Sequence, residues 1–164
     1  MKPIEFIEAR KKHLERLANT RGSEGETLAI ESMENWVPRP RGKELKILLE
    51  SLKSNGINIK SSSFDAISLP SSTTIDFSDQ ETVIRLLPSM VFIEIKTANQ
   101  ARVKPDFTGF FFALTESEIS AAEALGARHK VALFNKKTGS IWLTTVSDIL
   151  AKAKSTNWQV SVQL

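Results

Sequence analysis

A mixed α/β fold, with a central sheet flanked by helices and extra helices at the N-terminus, is predicted by three observations. From Met90 to Ile95 every side chain but one carboxylate is apolar, the pattern of a buried strand. The predicted elements run helices, strands, helix, strand, strand, helix, an interleaving that produces a sheet layer covered by helices. The chain has 164 residues, 41% of them hydrophobic, which suits one domain with a sizeable core. Within that domain the expected parts are residues 1–42 (N-terminal helices and a basic connector), 43–144 (the core) and 145–164 (a last helix and an edge strand).

Taken in order, Ile4, Ile7, Leu14 and Leu17 fall on one stripe among charged residues and predict a helix over 4–17, with His13 on its solvated side. A second helix is expected from Glu26 to Trp36, on the spacing of Leu28, Ile30, Met33 and Trp36. Pro38-Arg39-Pro40-Arg41-Gly42-Lys43 is a basic, proline-containing connector. Leu45, Ile47, Leu48, Leu49 and Leu52 give a third helix over Lys43–Ser54, closed by Asn55-Gly56. Alternation predicts strands at Ile57–Lys60 and Phe64–Leu69, and Thr82–Leu87 reads as a further strand. Pro70–Gln80 is a Ser/Thr-rich loop. The central strand is Val91–Thr97, followed by a basic loop over Ala98–Asp106 and an apolar run, Gly109–Leu114, that reads as core. Thr115-Glu116-Ser117-Glu118 is a capping-box pattern opening a helix that Gly126 closes. Lys130–Phe134 and Ile141–Thr144 pair as a hairpin, Ser147 caps a last helix, and Trp158–Leu164 alternates as an edge strand.

Composition narrows the chemistry. The chain has no cysteine, which excludes disulfides, thiol catalysis and cysteine-ligated zinc and suits a cytoplasmic protein. Two histidines, His13 and His129, are too few for a histidine zinc site. No run reaches the roughly eighteen apolar residues of a membrane span, and the opening residues lack the apolar stretch of a secretory signal. A formal net charge of +3 permits a nucleic-acid partner without demanding one.

Glu94 and Lys96 lie two residues apart on the central strand and so share a face, opposite Ile93 and Ile95. Two charges at the end of a core strand cost several kcal/mol of desolvation unless they are paired, hydrogen-bonded or neutralised by a metal. The competing reading is an exposed ion pair on an edge strand, worth under about 1 kcal/mol. With no thiols and almost no imidazoles, any metal here is a hard cation held by oxygen. Asp65, on a strand that can neighbour the central one, is the natural second carboxylate, and the Ile95 carbonyl a third oxygen. Asp76, in the polar loop, is its rival.

Phe64-Asp65-Ala66-Ile67 followed by Ile93-Glu94-Ile95-Lys96-Thr97 resembles the PD-(D/E)xK nuclease superfamily, the restriction-endonuclease-like fold. The resemblance covers the order of elements from about Lys43 to Thr144. Phe64 stands where the family's proline would, and the gap from Asp65 to Glu94 is long. The resemblance implies a Mg²⁺- or Mn²⁺-dependent DNA endonuclease. Asp65, Glu94 and the Ile95 carbonyl would hold the metal, and Asp65, Glu94 and Lys96 would form the catalytic set. Some members add a Glu from the helix before the first strand, which Glu44 or Glu26 would supply. Arg41, Lys43, Arg102 and Lys104 are the candidate phosphate contacts, and a homodimer or a place in a larger complex is expected. The alternative is a nuclease-fold subunit that binds nucleic acid or a protein partner without cutting.

Overall fold

The computed structural model describes residues 24–98, 103–157, 160 and 162–164. The helix expected over 4–17, His13 and Arg102 lie outside them. The described chain is α/β, with a five-stranded mixed sheet and helices on its faces. After α1 (residues 24–31) come β1 (Trp36–Pro38), α2 (Gly42–Ser54), β2 (Ala66–Ser68), α3 (Gln80–Leu86) and β3 (Val91–Ala98). Then follow α4 (Glu116–Leu125), β4 (His129–Asn135), β5 (Ile141–Thr144) and α5 (Val146–Lys152).

The sheet runs β1-β2-β3-β4-β5. Neighbours are antiparallel except β3 and β4, which are parallel because α4 carries the chain back across the sheet between them. β3 is therefore the central strand, as its apolar sequence requires. Phe92 packs on one face with Leu48, Leu52, Phe64 and Leu125, under α2 and α4. Ile93 and Ile95 pack on the other with Ala29 of α1, Trp36 and Phe134.

Several elements differ from the sequence expectation. α1 ends at residue 31, and Trp36, spaced like a helix position, instead starts β1 and is buried beside Ala66. Ile57–Lys60 forms no strand, since β1 already occupies the slot beside β2; Ile57 and Ile59 pack directly on the core. Thr82–Leu87 is not a strand, because its buried residues, Val83 and Leu87, are four apart while Ile84 is half exposed. That is helical spacing, and Asp79 caps α3 by accepting the Glu81 N–H. The run Gly109–Leu114 is only partly core: Phe110 and Phe112 stack with ring centroids 4.9 Å apart while Phe111 points to solvent. Thr145, not Ser147, caps α5 by accepting the Asp148 N–H. The described part of the expected C-terminal strand, 160 and 162–164, lies outside the sheet. No helix among the described residues is long and apolar enough to cross a membrane.

Candidate active site

The β2–β3 pairing sets Ala66 against Ile93, so its continuation by one residue places Asp65 opposite Glu94. Asp65 is held there at three points. Its N–H donates to the Ile93 carbonyl at 2.8 Å, and its own carbonyl accepts the Arg39 N–H at 2.9 Å. Its carboxylate Oδ2 accepts the Ile95 N–H at 2.8 Å, taking the place of the backbone acceptor that a longer β2 would have offered. N–H and C=O of one strand residue point to the same side, so the Ile95 carbonyl also faces the Asp65 edge of β3.

Glu94 and Lys96 project together from the opposite side of β3 to Ile95, and they are paired, with Nζ 3.1 Å from Glu94 Oε1. The pair is not an exposed edge contact: the side chains are 8% (Glu94) and 14% (Lys96) accessible. The second Glu94 oxygen, Oε2, is buried and receives no hydrogen-bond donor. Next to Glu94 lies the Asp65 carboxyl, which accepts a hydrogen bond from the Glu94 carboxyl when Glu94 is protonated. Lys96 also donates to Glu118 Oε1 at 2.9 Å.

Electrostatics follow from that crowding. Burial first, then the Asp65 carboxylate, pushes the Glu94 carboxyl up to about 9, with Lys96 pulling the other way. Burial also raises Asp65, against the Ile95 N–H, Arg39, Lys96 and a hydrogen bond from the Glu94 side chain, all of which favour its charged form. For Lys96 burial acts downward, but Glu94 and Glu118 outweigh it and hold the ammonium above the ordinary lysine range.

Glu26 comes to this cluster from α1. Burial and the Asp65 charge raise its pKa, while Arg39 and Lys96 lower it. Its neighbour Gly25 explains the approach: a Cβ there would stand 2.5 Å from Thr97 Cγ2 and 2.6 Å from Thr97 Oγ1. Only glycine lets the helix lie this close to β3. Of the two helix glutamates named from sequence, it is Glu26 that feels the Asp65 charge. Glu44 is exposed in the first turn of α2.

The remaining sequence candidates stand apart. Asp76 is solvated, and its carboxylate is engaged by the Ser78 N–H and hydroxyl at 2.9 and 2.6 Å, which lower its pKa. Arg41, Lys43 and Lys104 are exposed. His129 is core: its Nε2 lies 3.3 Å from the Ser63 carbonyl, and burial lowers its pKa.

Two residues escaped the sequence reading. Arg39, in the proline-flanked connector, donates through Nη1 to the carbonyls of Ser61 and Phe64, at 2.6 and 2.9 Å, and so braces the turn that delivers Asp65. Glu118, legible only as a helix cap, is the second partner of Lys96.

The donor set fits a divalent cation. Glu26, Asp65, Glu94 and Glu118 bring four carboxyl groups near only two cationic side chains, Arg39 and Lys96. Glu94 Oε2 is a buried carboxyl oxygen to which no N–H or hydroxyl donates. Among the described residues no group of three or more acidic, histidine or cysteine side chains is placed to hold a metal ion together. Mg²⁺ does not need one, since it typically takes one or two protein carboxylates and keeps several waters. No family model, curated protein or solved structure matches this chain.

Proposed function

We propose that this protein is a Mg²⁺-dependent endonuclease of restriction-endonuclease-like fold that hydrolyses DNA, with Asp65, Glu94 and Lys96 as its catalytic set. The observation that carries the reading is the buried pair of carboxyls, Asp65 and Glu94, hydrogen-bonded to each other, with an ammonium on Glu94 Oε1. A purely structural ion pair has no use for that arrangement, because a second buried carboxyl beside the first adds desolvation and repulsion.

Asp65, Glu94 and the Ile95 carbonyl would hold the cation. Bound Mg²⁺ supplies charge neutralisation at the phosphate and a more acidic water. The protein's own groups do the rest. The Ile95 N–H fixes the Asp65 carboxylate so that it offers its remaining lone pairs. Lys96 keeps its proton and stands beside Glu94 as a donor to the attacking water or to the developing charge on phosphorus. Arg39 holds the turn before Asp65. Arg41 and Lys43 would meet flanking phosphates, and cutting both strands of a duplex would call for a homodimer.

The test is incubation of supercoiled plasmid, linear duplex and single-stranded DNA with Mg²⁺ or Mn²⁺, for wild type, Glu94→Ala and Lys96→Ala. Metal-dependent cutting by wild type, lost in both variants, is the expected result. Metal binding by a wild type that cuts none of the three would favour the non-cutting subunit instead.

A further inference from the structure

We propose that Glu118 is a positioning residue that fixes the Lys96 ammonium on Glu94 Oε1 and keeps it off Glu94 Oε2. The inference rests on the nuclease reading for the meaning of Lys96, though its geometry is independent of it.

Lysine is a poor fixed donor when left alone, since its ammonium rides on four rotatable bonds. Here it lies between two carboxylates, Glu118 Oε1 at 2.9 Å and Glu94 Oε1 at 3.1 Å. Glu118 is itself locked. It is the third residue of α4, and its Oε2 accepts the Thr115 N–H at 3.0 Å while its own N–H donates to Thr115 Oγ1 at 3.2 Å. In a capping box on a protein surface the other glutamate oxygen faces water. Glu118 is 4% exposed, and that oxygen is used on a side chain 22 residues away in another element.

The cap thus does two jobs with one side chain. It satisfies the free N–H groups of the helix start. It also ties the first turn of α4 to β3 at the residue beside the carboxylates. Without Glu118, Glu94 would be the ammonium's near anion, and Nζ would be free to straddle both of its oxygens, including the one a cation needs. The arrangement leaves Oε2 without a donor, as observed.

A purely structural role for Glu118 makes a different prediction from a positioning one. The experiment compares Glu118→Ala, Glu118→Gln and Thr115→Ala by ¹⁵N NMR of lysine ammonium groups, thermal melting and steady-state plasmid cleavage. Thr115→Ala removes half of the cap without touching the Lys96–Glu118 contact, so it is the stability control. Wild type should show a slowly exchanging Lys96 ammonium resonance, Glu118→Ala should lose it, and Glu118→Gln, which keeps an acceptor oxygen, should retain part of it. Thr115→Ala should melt lower by a few degrees and keep the resonance. In cleavage, Glu118→Ala should lower kcat about 100-fold with KM within about two-fold, and Glu118→Gln should recover much of the loss. Combined with Lys96→Ala, it should add nothing further, as expected of groups that act as one unit.

An unchanged Lys96 resonance in both Glu118 variants would overturn the proposal. So would a Thr115→Ala variant that loses resonance and kcat as fully as Glu118→Ala, because that outcome assigns everything to the cap. Wild type that keeps the resonance in the predicted pattern but cuts no DNA would overturn the nuclease reading and leave the positioning contact established.

Discussion

Glu44-Leu45-Lys46 on α2 and Glu94-Ile95-Lys96 on β3 spell the same acid-x-Lys triplet, and the two behave in opposite ways. On the helix, residues two apart point about 200° around the axis from each other, so Lys46 reaches across one turn to Glu50 at 4.0 Å, with both side chains largely solvated. On the strand the same spacing sets the two charges side by side, 3.1 Å apart and buried. A surface pair such as Lys46–Glu50 is worth a few tenths of a kcal/mol. The buried one cannot be neutral in its effects, because Asp65 and Glu118 add two more carboxylates to it.

The acidic loops extend the contrast. Asp76, Asp79 and Asp106 have lowered pKa values because nearby hydroxyls and N–H groups of their own turns satisfy them. Asp65, Glu94 and Glu26 have raised values because burial strips water away, and for Glu94 and Glu26 the Asp65 charge adds repulsion. A carboxylate satisfied by its own turn has little left for a ligand. One that is buried and crowded by another carboxyl is held in a state that a cation would relieve.

Substitutions in the two triplets should separate them most strongly. Lys96→Ala and Glu94→Ala are expected to lower metal-dependent DNA cleavage at least about 1,000-fold, whereas Glu44→Ala and Lys46→Ala leave it within about two-fold. Equal losses in both pairs, measured on plasmid, would erase the distinction.

Next in size is the helix approach that brings Glu26 to the strand triplet. Gly25→Ala puts a methyl group against Thr97 and should cost about 1–3 kcal/mol in denaturant unfolding, an overpacking penalty. A cost near zero would mean that α1 gives way freely and that Glu26 is not held against the cluster.

The raised Glu94 pKa has a sign that can be checked without metal. The native carboxyl holds its proton up to about 9 while the unfolded one releases it near its ordinary value of 4.5. The native state therefore binds more protons between those pH values, and stability falls as pH rises through that window. In chelator, Glu94→Gln should flatten this decline and melt several degrees above wild type at pH 8. A wild-type melting temperature that climbs from pH 6 to pH 8 would contradict the assignment.

The smallest effect is expected at Asp76, where Asn should leave cleavage within about two-fold and the melting temperature little changed. A large loss of activity there would restore it as a ligand.

The central strand, the α4 cap and the β4–β5 hairpin were legible because local pattern and tertiary role agree in them. Val91–Ala98 is apolar and central, Thr115–Glu118 caps the helix it precedes, and Ile141–Thr144 pairs back on β4. Thr82–Leu87 misleads because β-branched residues dominate its start, while its burial follows a spacing of four. Trp36 misleads in the other direction, continuing a helical spacing past the end of the helix. At the site, the Glu94–Lys96 pairing follows from strand periodicity alone. Glu118 and Arg39 do not, because each acts on a residue more than twenty positions away through a contact that no local pattern encodes. Gly25 was silent for the same reason, its meaning residing in Thr97.

The most direct test of the account is a calorimetric titration of Mn²⁺ into wild type, Asp65→Asn and Glu94→Gln, repeated in buffers of different ionisation enthalpy. The account predicts a bound ion with proton release near one per ion at pH 7, as Glu94 gives up its proton, affinity that tightens with pH, and loss of binding in both variants. Wild type that binds no Mn²⁺, or binds it as well with Asn at 65 and Gln at 94, would contradict it.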